Sequence, residues 1–90
     1  MTAVLSLDRT APGHILPGTA VRALIIEILA GVTDMPQSVW EDFVGEVEVL
    51  PIASHAASNW RVEGIGTLYE TSAVTKAAEV VRIHHPYAEA

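Results

Sequence analysis

The sequence predicts a small α+β fold, ferredoxin-like or a related two-layer sandwich, in the order β-α-(α)-β-β-α with a central antiparallel hairpin. Three observations predict it. Val21, Leu24, Ile25, Ile28 and Leu29 recur at the spacing of one helix face, Glu46 to Val49 alternate polar and apolar, and Trp60 to Tyr69 reads as a strand. That strand sets Trp60, Val62, Gly64, Gly66 and Leu68 on one side, and a last helical stripe of Val74, Ala77, Ala78 and Val81 follows it.

Residues 2–7 alternate weakly and are expected to form a short first strand, after which Pro12-Gly13 and Pro17-Gly18 break the chain into a loop over about 8–18. Thr19 is the expected cap of a helix over 20–31. Its second side, Ala20, Ala23, Ile26 and Ala30, is nearly as apolar as its first, so this helix is expected to be covered on more than one face. Gly31 stands where a glycine ends a helix, and Asp34-Met35-Pro36-Gln37 supplies an acceptor cap, an early proline and a capping-box glutamine for a second helix over 35–44. Val39, Trp40, Phe43 and Val44 share one face of that helix; a strand beginning at 39–43 is the alternative.

From Glu46 the period is two, with Val47 and Val49 inward. The parity switches at Leu50-Pro51-Ile52, as it does at a bulge or sheet edge, because Pro51 has no N–H to offer a ladder. Ser54-His55-Ala56-Ala57-Ser58 links this strand to the next, so the two form an antiparallel hairpin. Two glycines on one face of the second strand mean that a helix, a ligand or another backbone lies against it. Thr71 or Ser72 is the expected cap of the last helix, which ends before Pro86. The result is one domain over 1–90: strand and loop (1–18), a helical part (19–45), the hairpin (46–70) and a helix (71–86). Its order lacks the last strand of a ferredoxin-like unit, and the sheet edge left open is expected to be covered by a second subunit.

Composition points the same way. In a chain of 90 residues, 50% are hydrophobic, and a domain this small has a large surface to keep polar. A buried subunit interface accounts for the apolar excess. Five basic residues against eleven acidic ones give a net charge of −6. Arg9, Arg22, Arg61, Lys76 and Arg82 are scattered, so no stripe exists to track a nucleic-acid backbone. With no cysteine there is neither a disulfide framework nor a thiolate site. The longest apolar run, 23–30, is broken by Glu27 and is too short to span a bilayer. The start of the chain does not read as a signal peptide. A cytoplasmic protein without cofactor, whose partner is itself or another protein, is the expectation.

The residues singled out for a ligand or an interface are Trp60, Gly64, Gly66, His84, His85 and Tyr87. Adjacent histidines diverge by about 100° on a helix and about 180° on a strand, so His84 and His85 do not read as a metal pair. Gly64-Ile65-Gly66-Thr67-Leu68-Tyr69 lies in a strand and has Tyr69 where a dinucleotide fingerprint needs glycine. Glu46 and Glu48 share a strand face, an arrangement that is a solvated surface far more often than an acid–base pair. His85-Pro86-Tyr87 after a helix, with Trp60 upstream, resembles the helix end of the CutA-type trimeric ferredoxin-like proteins over three contiguous residues. Asn59-Trp60-Arg61-Val62-Glu63-Gly64 is similar to the Asn-Trp-x-Val-x-Gly segment of the small tautomerases, whose base is an N-terminal proline amine where this sequence has Met1-Thr2. Neither likeness supplies a catalytic or metal-binding residue. The reading is therefore a non-enzymatic, homo-oligomeric binding or assembly module. Its alternatives are a small enzyme or ligand-binding protein with a pocket between subunits, and an acidic adaptor or inhibitor of a basic partner.

Overall fold

The computed structural model describes residues 15–90. The strand expected at 2–7 and most of the 8–18 loop lie outside them. In chain order the elements are strand β1 (Leu16–Pro17), helix α1 (Gly18–Val32), helix α2 (Gln37–Phe43), strand β2 (Glu48–Val49), a 3-10 turn (Ile52–Ser54), strand β3 (Trp60–Arg61), helix α3 (Leu68–His84) and strand β4 (Ala88–Glu89). The fold is mixed α+β. Its strands form two separate pairs, β1 parallel to β4 and β2 antiparallel to β3, so no single ferredoxin-like sheet is formed among the described residues.

Proline sets the start of the first two helices. Pro17 caps α1 and Pro36 caps α2, both extended and neither with a side-chain cap bond, which corrects the expected caps Thr19 and Asp34. The ring fixes φ near the value the cap position needs, and the missing N–H is no loss there. Gly31 does not end α1, which runs on to Val32. Instead, the backbone N–H and hydroxyl of Thr33 both donate to Leu29 O, at 3.1 and 2.6 Å. The same hydroxyl oxygen accepts Trp40 Nε1–H at 2.9 Å, tying the end of α1 to α2. Residues 39–43 are helical. The orphan carbonyls at the end of α2 are gathered by Arg22 of α1, whose Nη2 donates to Glu41 O and Val44 O (both 2.8 Å) and whose Nε donates to Val44 O (3.2 Å) and Gly45 O (3.1 Å). A fixed cation at a helix C-terminus also suits the dipole.

The core is one cluster in which Trp40, Ile25, Val21, Val44 and Val74 are fully buried. The α3 stripe Val74, Ala77, Ala78 and Val81 faces it as the period predicts. Trp40 meets Phe43 edge-on at 5.8 Å. Each fully buried large aliphatic side chain contributes roughly 1.5–3 kcal/mol.

Alternation along 60–65 holds. Trp60, Val62 and Gly64 turn inward, while Arg61, Glu63 and Ile65 are exposed. The register pairs Glu48 with Arg61 and Val49 with Trp60, then Val44 with Gly64. The pairing thus slips by one residue, leaving a bulge within 45–47. Gly45 N donates to Glu63 O at 2.9 Å and Ile65 N to Phe43 O at 2.8 Å beyond it. At the other end Leu50 N donates to Asn59 O, and the parity switch at 50–52 is a 3-10 turn led by Pro51 rather than a bulge. The strand expected to reach Tyr69 ends early because Gly66 takes φ +120° and turns the chain out of the ladder. Thr67, not Thr71 or Ser72, therefore caps α3. Its N–H donates to Glu70 Oε1 at 2.7 Å, its hydroxyl donates to the same oxygen, and the two residues form a capping box. What lies against Gly64 is α3 of the same chain: a Cβ there would stand 2.7 Å from Thr71 Cα and 3.1 Å from Val74 Cβ. The chain end, expected to carry no strand, supplies β4, with Ala88 beside Leu16 and Glu89 beside Pro17.

Gly64→Ala must push a helix backbone aside and is expected to cost about 1–3 kcal/mol. By contrast, a Cβ at Gly31 of α1 meets nothing within 4 Å, so Gly31→Ala is expected to add up to about 1 kcal/mol by removing backbone freedom from the unfolded chain. Urea unfolding of the two variants checks the opposite signs. Hydrogen bonds from the Thr67 hydroxyl, and then from its backbone N–H, hold the Glu70 carboxyl below the ordinary glutamate range. A group whose folded pKa is depressed stabilises above its unfolded pKa and loses that contribution as pH falls through the folded one. In a carboxyl-carbon NMR titration Glu70 should titrate below the ordinary glutamate range, and Thr67→Ala should raise its midpoint.

Candidate functional site

Trp60, His85 and Tyr87 come together where α3 ends. Trp60 is buried, and its Nε1–H donates to the carbonyl of His85, the residue capping α3, at 2.8 Å. The Arg82 guanidinium carbon lies 4.2 Å from the centre of the Trp60 ring. Arg82 Nη2 donates to Trp60 O at 3.1 Å, Nε to Ser58 Oγ at 3.0 Å and Nη1 to Glu79 Oε2 at 3.0 Å. A cation over an indole face is itself attractive, here reinforced by bonds that fix it in place. The Tyr87 hydroxyl donates to Ala56 O. His84 is exposed, one residue before this corner. Gly64 is covered by α3, and Gly66 sits at the turn, where a Cβ would meet Glu70 Oε1 at 2.9 Å and Phe43 Cδ1 at 3.0 Å. The six singled-out residues therefore do not line one cleft, and the Trp60 ring is roofed by Arg82 rather than open to a ligand.

Asn59, beside this corner, carries more of the arrangement than any of the six. It is 2% exposed. Its Nδ2 donates to Leu50 O and to Ala88 O, both at 2.8 Å, and its Oδ1 accepts Ala88 N–H at 2.7 Å. The side-chain amide thus pairs with Ala88 as a strand backbone would. Asn59 N–H also donates to Pro86 O at 3.2 Å.

Two surface features remain. On the outer face of β2 and β3, Glu46, Glu48, Glu63 and Arg61 border a shallow groove of about 280 Å³. Arg61 Nε lies 2.6 Å from Glu48 Oε1, and that hydrogen bond and charge hold the guanidinium still more firmly protonated. Both side chains are solvent-exposed, so the pair is open to screening by salt. Among the described residues no group of three or more histidine or carboxylate side chains is placed to hold a metal ion. The second feature is apolar. Ile28 and Val32 of α1 and Ala73, Ala77 and Val80 of α3 line a groove of about 270 Å³ between the two helices, with Lys76 at its rim. Val32 is 75% exposed, Val80 47% and Ile83, one turn further on, 77%. Exposed aliphatic side chains in and beside one groove are what marks a contact surface on a small protein.

Asn59→Asp replaces a donor with a carboxylate facing two carbonyl oxygens. It is expected to cost at least about 3 kcal/mol at neutral pH. Part should return below pH ~4, where a protonated carboxyl donates again; chemical denaturation at the two pH values reads the difference.

Among the described residues no helix is long and apolar enough to cross a membrane. Comparison of the chain with protein-family models, with curated proteins and with solved structures finds no match.

Proposed function

We propose that this is an acidic, non-enzymatic assembly module that acts through protein–protein contacts as a homo-oligomer, in the cytoplasm, on a scaffold related to the ferredoxin-like sandwiches. The observation that carries the reading is the apolar groove between α1 and α3, with Val32 and Val80 exposed along it and Ile83 exposed beyond its end on α3. An interface core is apolar and depleted in charge, whereas a catalytic pocket needs convergent polar groups with displaced pKa values. The polar groups around Trp60 bond within the chain, to carbonyls, Ser58 and Glu79, which favours the assembly reading over a subunit-interface enzyme.

The acidic groove of Glu46, Glu48 and Glu63 supports a second reading, an adaptor for a basic partner. Salt separates the two. Light scattering coupled to size exclusion should return an oligomer mass that is unchanged from about 0.1 M to about 1 M salt, although the Debye length falls from about 10 Å to about 3 Å. Val32→Glu should yield the monomer mass while leaving the melting temperature of the dissociated chain unchanged, because Val32 is 75% exposed within the protomer. A wild-type monomer at all salt concentrations rejects the homo-oligomer and leaves the adaptor.

A further inference from the structure

Helix α3 carries a second stripe besides its buried one. Tyr69, Ala73, Lys76, Val80 and Ile83 follow one another at intervals of four, three, four and three residues, the spacing of a seam along which two helices pack side by side. The seam flanks the core stripe, with Ala73 half-buried against the core, and its sizes are uneven. Ala73 and Ala77 leave a hole walled by Ile28 and Val32, while Ile83, 77% exposed, stands out as a knob.

We propose that the surface covering this seam is the same seam of a second copy, running antiparallel across a two-fold axis. The inference rests on the assembly reading and names its partner and register. In an antiparallel pair that sets Lys76 beside the partner's Val80, Ala73 falls opposite the partner's Ile83. The two-fold repeats the contact, so each chain fills the other's hole with its own knob. Charge agrees with this direction. Lys76 has no carboxylate within salt-bridge distance among the described residues. The antiparallel register lays its aliphatic stem on the partner's Val80 and its ammonium beside the partner's Glu79, an exposed carboxylate that Arg82 Nη1 bonds through one oxygen, whereas a parallel pair would press the two Lys76 ammonium groups together in the seam. In this register residues 72–84 of the two α3 helices overlap, about 20 Å of helix at 1.5 Å per residue, and with the α1 flank the contact spans roughly two helix widths. That is on the order of 400 Å² per protomer, ~800 Å² in total, the size of a weak and reversible pair.

The chain has no cysteine, so an introduced thiol is the sole one. Ala73→Cys and Ile83→Cys chains are prepared separately, then mixed, re-equilibrated and oxidised with oxidised glutathione. The expected result is a covalent dimer in the mixture and almost none in either variant alone. Covalent dimers in each separate sample, with no excess on mixing, would mean parallel helices and overturn the register. Light scattering on the wild type separates the two levels: a dimer whose variants give no mixed cross-link overturns the seam but not assembly, and a monomer overturns both. Ile83→Ala provides the independent check. It should raise the dimer dissociation constant at least about tenfold while leaving the unfolding midpoint of the dissociated chain unchanged; an unaltered dissociation constant would reject the knob.

Discussion

The fold depends on one side-chain amide. Asn59 stands where β3 begins, and its Nδ2 and Oδ1 reach two chain segments that no continuous sheet joins: the end of the β2 strand at Leu50 and the β4 strand at Ala88. Strand pairs of two residues each have too few ladder bonds to hold position alone. By substituting for a backbone amide, Asn59 joins the antiparallel pair to the parallel pair without a strand between them. An amide is suited to this because it carries donors and an acceptor on one rigid plane, and at this burial any unmatched group would be costly.

The two internal arginines act in the same manner. Arg22 bonds to three backbone carbonyls at the end of α2, and Arg82 bonds to the Trp60 carbonyl while lying over its ring. Neither depends chiefly on a carboxylate, so these two cations hold backbone ends together while most of the carboxylates among the described residues face solvent. Arg22 and Arg82 thus belong to the internal framework, whereas Arg61 and Lys76 stand on the surface with most of the described carboxylates. A surface of this kind leaves the apolar groove between α1 and α3 as its chemically distinct region.

Periodicity was the legible part of the sequence. The α3 stripe Val74, Ala77, Ala78 and Val81, the alternation through 60–65 and the close approach at Gly64 follow from spacing and from the absence of a Cβ, which are local properties. Helix starts were less legible, because Thr19, Asp34, Thr71 and Ser72 are plausible caps by residue type while geometry imposed from a distance decided between them. The parallel pairing of β1 fixes Pro17 as a cap, and the left-handed turn at Gly66 brings Thr67 into place. Thr67-Leu68-Tyr69-Glu70 does carry a capping-box signature, so that boundary was readable. The role of Asn59 was not, since its partners at 50 and 88 are remote in sequence. The four-three spacing of Tyr69 to Ile83 was also present in the sequence, but it flanks the buried stripe of α3 and is masked by the stronger apolar signal of Val74, Ala77, Ala78 and Val81.

The parallel pairing of β1 with β4 has a kinetic consequence. It joins Leu16 to Ala88, closing a loop of about 70 residues, where the β2–β3 pair closes one of about 12; the longer closure costs about 1.5 kcal/mol more in chain entropy. Two ladder residues offset little of that without the Asn59 bonds to Ala88, so the tail is expected to dock after the helices and the antiparallel pair have formed and to leave early when the protein opens. Amide exchange would then divide the molecule into a slow interior and a fast closing strand, with Asn59 as the latch between the two regimes.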